Sequence, residues 1–203
     1  MVKKIGIDPH RVEGVIDDRL KPEKDREIAV SRGAVDRDPV REKFRIRYYN
    51  DDLSRITLEK KAKQNGLCRK FSAPLSEEDC RAILSGEAPP PLEAESPLVR
   101  ELLVKMKTEL LRPRVLVSYT REPLVYPAGN VRVTFDSDIR TSLFTRRFLD
   151  RDIPDIPAAD APEKVILEVK YDAFLPEAIA ALLQCGGIRV RAFSKYAAAR
   201  RFG

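Results

Sequence analysis

Tryptophan is absent from this chain of 203 residues, histidine occurs once (His10), and cysteine only at Cys68, Cys80 and Cys185. Each scarcity removes a class of chemistry. With the single histidine at His10, near the N-terminus and ahead of the aromatic-containing region, a His-ligated zinc site and a Ser-His-Asp triad are not expected. The cysteines are odd in number, far apart and never form C-x-x-C, which fits free thiols in a reducing compartment better than a disulfide framework. No apolar run approaches the roughly 18 residues that would cross a bilayer. The opening MVKKIGIDPHRVEG has no continuous apolar stretch of the signal-peptide kind. Neither G-x-x-x-x-G-K-[ST] nor G-x-G-x-x-G after a strand is present, so the phosphate-loop and dinucleotide-binding readings have no support. The expectation is a soluble, cytoplasmic protein.

What is present is unevenly distributed. Lys and Arg number 38 against 32 Asp and Glu, a formal net charge of +6. Residues 1–40 carry nine basic and nine acidic side chains, so the whole excess lies in 41–203. All 14 aromatic residues lie there too. This break in composition predicts a leader over 1–40, either disordered or holding a short helix or two, ahead of a core-forming region over 41–203.

The core-forming region has strand periodicity. In REKFRIRYYN, Lys43, Arg45, Arg47 and Tyr49 share one face and Phe44, Ile46 and Tyr48 the other. RITLEKKAK repeats the pattern: Thr57, Glu59, Lys61 and Lys63 oppose Ile56, Leu58, Lys60 and Ala62. Asn50-Asp51-Asp52 and Asn65-Gly66 are turn signals, and 67–73 returns as a third strand. Ser76 with Asp79 caps a helix to Leu84, with Gly86 beyond its end. Ser96-Pro97 opens a second helix to about Leu111, with Leu98, Leu102, Met106 and Leu110 as its apolar stripe. Strands follow at 114–121, 122–126, 131–136 and 164–171. A helix over 175–184, an extended 188–193 and a last helix from Ser194 complete the chain. Hairpin links between most strands make the class α+β with an antiparallel sheet.

The chemistry suggested by this pattern is cationic. Lys43, Arg45, Arg47, Lys61, Lys63, Arg132 and Lys170 alternate with apolar residues on strands, with Glu59, Asp136 and Glu168 interspersed. A solvated sheet face would account for such residues. A sheet curled with its polar face inward would instead make a cationic tunnel holding a few carboxylates, suited to a chain of phosphates. Nucleic acid is disfavoured as the anion, because Phe44 and Tyr48 point away from the basic face and leave only Tyr49 for stacking.

R-E-K-F-R-I-R-Y-Y-N, I-T-L-E-K-K-A-K, S-Y-T-R-E-P, P-A-G-N-V-R-V-T-F-D, V-I-L-E-V-K-Y-D and A-F-S-K-Y, in that order, resemble the bacterial polyphosphate polymerase domain. That domain is similar to the catalytic domain of the vacuolar transporter chaperone (VTC) complex, in the CYTH-like, triphosphate tunnel metalloenzyme superfamily. The resemblance runs from about Arg41 to Gly203. It implies an antiparallel β-barrel with flanking helices, incomplete here at its N-terminal strands, because no R-x-E-L-K-Y or Y-R-I-R-S-L-Y-F-D motif is found in 1–40. It also implies transfer of the ATP γ-phosphate to a growing polyphosphate chain with Mn²⁺ or Mg²⁺. Carried over by motif, Arg45, Arg47, Lys61 and Lys195 are catalytic and bind phosphate. Arg121, Arg132 and Lys170 add phosphate-binding cations, and Glu168 is the metal carboxylate. The implied partners are ATP and inorganic polyphosphate. A tunnel triphosphatase, and a non-catalytic polyphosphate or polyanion binder, stay open as alternatives.

Overall fold

The computed structural model describes residues 3–5, 22–31, 41–64, 67–87, 90–91, 94–158, 165–184 and 193–200. His10, Cys185, the Asn65-Gly66 turn and residues 188–192 lie outside them. The described strands are β1 (Lys3–Ile5), β2 (Glu23–Ser31), β3 (Arg41–Tyr49), β4 (Thr57–Gln64), β5 (Leu67–Pro74), β6 (Arg112–Tyr126), β7 (Val131–Ser142), β8 (Ile156–Pro157) and β9 (Ile166–Lys170). The helices are α1 (Glu77–Ser85), α2 (Pro97–Thr108), α3 (Glu177–Leu182) and α4 (Lys195–Ala199). The fold is α+β on an antiparallel sheet, as the residue pattern predicts.

The chain divides into two compact units. The first is Asp25–Val117 with Thr141–Ile156; the second is Ser118–Arg140 with Pro157–Phe202 and the first 24 residues. In the first unit the strand order is β6–β2–β3–β4–β5, with β5 at its end. Alternation delivers Ile28, Val30, Phe44, Ile46, Tyr48, Ile56 and Leu58 to one apolar core, completed by α1, α2, Phe148 and Leu149. In the second unit the order is β1–β9–β7–β6, with β1 at its end. Its core gathers Leu124, Val131, Val133, Phe135, Leu167, Val169 and Ile179.

Local chemistry explains the helix ends. The Ser76 hydroxyl accepts from the Asp79 amide at 3.0 Å, and Gly86 adopts φ +85° to close α1. In α2 the buried stripe is Val99, Leu102, Leu103 and Met106, rotated from the expected one. Leu98 is only partly buried, and Leu110 lies past the helix end at φ +57°, exposed.

Three expectations are corrected. The leader over 1–40 does not hold as one block, because Lys3–Ile5 pairs with Leu167–Val169 and β2 pairs with β3 from Asp25↔Tyr49 to Val30↔Phe44. The fold therefore starts before Arg41. Residues 114–126 are one strand, not two: Pro123 is accommodated within β6. β7 continues to Ser142 rather than stopping at Asp136.

Candidate functional site

Strand register builds a polar face in the first unit. Arg47 lies opposite Glu27 and Thr57, Arg45 opposite Ala29 and Glu59, and Lys43 opposite Lys61, which itself lies opposite Lys70. The two arginines are balanced by two carboxylates. Glu27 Oε2 accepts from Arg45 Nη1 at 2.8 Å and from Arg47 Nη2 at 2.7 Å. Glu59 accepts from Arg45 through Nε at 3.0 Å and again through Nη2, and its other oxygen is 3.7 Å from Arg47. Arg47 also donates to the Tyr49 hydroxyl at 2.8 Å. Arg47 is the more enclosed; the Arg45 side chain keeps 37% of its surface open.

Strand register separates the two lysines of L-E-K-K. Lys61 is exposed on the arginine face. Lys60 points the other way, buried, with its ammonium on Glu42 at 2.6 Å and on Glu101. Burial alone would lower the Lys60 pKa, but the Glu101 and Glu42 carboxylates outweigh it and raise it. Glu42 in turn takes Lys105 of α2 at 2.7 Å. This second network fastens α2 to the apolar side of the sheet.

The second unit holds the other expected cations. Register sets Arg132 against Lys170 and Thr134 against Glu168 on one face of β7 and β9. Asp136, on the same face of β7, is fully buried. It accepts from Arg121 Nε at 2.6 Å and Nη2 at 2.8 Å, and from the Lys195 ammonium. The Tyr119 ring lies 5.3 Å from the Arg121 guanidinium and 4.3 Å from the Lys195 ammonium. Burial alone would raise the Asp136 pKa; Arg121 and Lys195 reverse this and hold the carboxyl below its ordinary value. Ser194 caps α4 by accepting from the Ala197 amide at 3.2 Å, which sets Lys195 at the helix start.

Thus Arg45, Arg47 and Lys61 share one face in the first unit, and Arg121, Glu168, Lys170 and Lys195 cluster in the second. Arg132 is exposed beside Lys170. Glu27 and the pivotal position of Asp136 escaped the residue pattern. Asp136 belongs to the quoted V-R-V-T-F-D run, but its partners Arg121 and Lys195 lie 15 and 59 positions away.

Among the described residues, no three His, Cys, Asp or Glu side chains gather as a metal cage. The donors fit a hard divalent cation only as one or two carboxylates completed by phosphate and water, the arrangement magnesium favours. Glu168 suits that part. It pairs with Lys170 at 3.4 Å and lies 4.0 Å from Arg121, whereas both Asp136 oxygens are engaged at closer range.

The VTC domain model matches residues 28–202. No curated protein matches significantly in sequence. Among solved structures, the chain is similar to a putative adenylyl cyclase from Hippeastrum, described as having dominant triphosphatase activity, with TM-score 0.56 and 14% identity over 99% of this chain and 94% of that one. It is also similar to the PH1819 protein from Pyrococcus horikoshii OT3, with TM-score 0.53 and 12% identity over 100% and 98%. At such identities the likeness is one of fold.

Proposed function

The chain belongs to the VTC domain family, and on that premise we propose that it synthesises inorganic polyphosphate from ATP. The observation that carries the reading is the arginine pair of β3, held on one sheet face by carboxylates that a phosphate chain can replace. In this reading Arg45, Arg47 and Lys61 bind phosphate oxygens in the first unit. Arg121, Arg132, Lys170 and Lys195 do so in the second.

The reaction asks for positioning and charge neutralisation more than for acid–base chemistry. A terminal oxygen of polyphosphate, already ionised, attacks the γ-phosphorus of ATP; the new P–O bond forms as the bond to ADP breaks, and ADP leaves with the electron pair. Phosphoryl transfer passes through a loose transition state whose charge spreads over the equatorial oxygens. Guanidinium and ammonium donors fixed around those oxygens lower its energy without reorganising. Glu168 would hold Mn²⁺ or Mg²⁺, which when bound neutralises charge on the bridging oxygens. No side chain is needed as a general base, and none is assigned that role.

Incubation with ATP and Mn²⁺, followed by separation of long polyphosphate from free phosphate, tests the reading. Polymer with an equivalent of ADP is the expected product. Free phosphate without polymer would replace it with tunnel triphosphate hydrolysis. Neither product, with tripolyphosphate binding retained, would leave a non-catalytic binder.

A further inference from the structure

Asp136 differs from every other carboxylate on these two polar faces. Glu27 and Glu59 keep 12% and 29% of their side-chain surface open, whereas Asp136 keeps none. A ligand that displaces a carboxylate must first reach it. Glu59 can be exchanged for phosphate; Asp136 cannot.

Both Asp136 oxygens are already used, and by cations from separate parts of the chain. Arg121 comes from the middle of β6 and delivers a two-point contact. Lys195 comes from the start of α4 and shares Oδ2. The Tyr119 ring faces both cations. A guanidinium and an ammonium each carry more donors than Asp136 consumes, and Arg121 also lies 4.0 Å from the half-buried Glu168 carboxylate. Two cations against one buried carboxylate leave this trio at +1, and the adjoining Lys170–Glu168 pair adds no net charge, so the group keeps a net attraction for phosphate. A lysine stem is otherwise among the most mobile of side chains. Asp136 removes that freedom before any ligand arrives.

We propose that Asp136 is a positioning residue, a buried anchor that holds Arg121 and Lys195 at fixed separation so that their outward donors meet the reacting phosphates together. The reading of those phosphates as ATP and polyphosphate rests on the proposed function; the anchoring of Lys195 does not. Asp136 touches no phosphate itself.

The test uses the full chain and two readouts. In Asp136→Asn the cations remain but lose their common anchor. Tripolyphosphate should bind at least as tightly as to the unaltered chain, while turnover falls about 100-fold, the cost of misplacing a reacting group by an ångström. Site-resolved reductive methylation should find Lys195 slow in the unaltered chain and several times faster in the variant, with Lys60, buried in the other unit, unchanged. Turnover within threefold of the unaltered chain would overturn the proposal, as would unchanged methylation of Lys195. So would a parallel loss of binding and turnover with faster methylation at both lysines, the sign of general loosening. If Asp136→Asn does not fold, Asp136→Glu keeps the charge but shifts it by a methylene. The same split between binding and turnover is then expected, and full activity overturns the idea. An unaltered chain silent toward ATP would count against the polymerase reading alone, because methylation of Lys195 needs no turnover.

Discussion

Replacing Glu27 by glutamine tests how the arginine pair works. In the ligand-free protein two guanidiniums and two carboxylates, Glu27 and Glu59, sum to zero charge. Under the proposed function, phosphate would therefore take the place of a carboxylate. Glu27→Gln raises the local charge from 0 to +1, and Arg47→Ala lowers it to −1. One unit charge about 5 Å from a phosphate oxygen, at an effective dielectric constant of about 20, is worth about 3 kcal/mol. Solvent reaches the site past Arg45, whose side chain is 37% open, so about 1–2 kcal/mol should survive screening. Glu27→Gln should thus tighten tripolyphosphate binding about 5- to 30-fold. Arg47→Ala removes a charge-assisted donor worth about 1.5–3 kcal/mol and should weaken binding about 10- to 150-fold. Stability moves differently. Glu27→Gln strands the enclosed Arg47, which loses its 2.7 Å carboxylate, and should cost about 3 kcal/mol of folding free energy. Calorimetric titration with tripolyphosphate in metal-free, low-salt buffer, alongside thermal melts, reads both effects. Unaltered affinity in both variants would show that these arginines are not the phosphate ligands. Weakened affinity in both would show that Glu27 orients the arginines rather than competing for them, and the exchange argument would fail.

Glu168→Gln should raise the Mn²⁺ concentration needed for half-maximal turnover while leaving metal-free tripolyphosphate binding intact or tighter; an unchanged metal dependence would return Glu168 to a salt-bridging role. The Asp136 carboxyl is held below its ordinary value, so its contribution to stability is complete above the unfolded pKa of about 3.9 and is lost as pH falls below it. Acid melts of the unaltered chain should accordingly lose more stability as pH falls below about 4 than those of Asp136→Asn; parallel curves would contradict the burial and pairing of this group. Amides of Arg26–Val30 should exchange as slowly as those of Phe44–Tyr48, because β2 and β3 pair throughout that stretch; exchange of β2 at loop rates would restore the leader as a separate segment. The Cys80 thiol is pushed up to about 12 by burial, so a thiol reagent at pH 8 should modify exposed Cys68 and spare Cys80 in the native protein; equal modification would mean that the core around Cys80 opens readily.

Where alternation was clean, the sequence was sufficient. Phe44, Ile46 and Tyr48 are buried as the period-two pattern requires, and Lys61 rather than Lys60 shares the arginine face. β2 was illegible for a physical reason. Lys24-Asp25-Arg26-Glu27 is a run of four charges, which hides alternation, yet Asp25, Arg26 and Glu27 are all buried. Arg26 occupies a position where the pattern asks for an apolar residue. It is accommodated because it donates to the Tyr48 hydroxyl at 2.6 Å and the Arg151 carbonyl at 3.2 Å, and pairs with Asp51 at 3.1 Å. Partners 22 and 125 positions away leave no local signature. Glu27 was lost with its strand. Its function appears only when register places it opposite Arg47. Residues 114–126 are one strand although Pro123 cannot donate to a ladder, and the length of β6 shows that one missing donor did not end the strand.

How far each cation is exposed decides how the fold manages it. Lys43, Lys61 and Lys70 lie directly opposite one another across three strands, an arrangement that costs about 0.2–1 kcal/mol per like-charged pair. All three are exposed, so water screens them, and among the described residues none has an ion pair. Arg47 and Lys195 are buried, and there screening is weak. An uncompensated buried cation would destabilise the chain by several kcal/mol, so each is held by a carboxylate, Glu27 in one case and Asp136 in the other. The consequence for ligand binding differs between the two. At the screened lysines an arriving phosphate adds an attraction; at Arg47 it replaces one, so affinity there is a difference between two similar terms. That difference is small for any one phosphate and accumulates only over several. Under the proposed function, a face built this way would discriminate by the number of linked phosphates more than by the affinity of a single one, which would suit a substrate that is a chain.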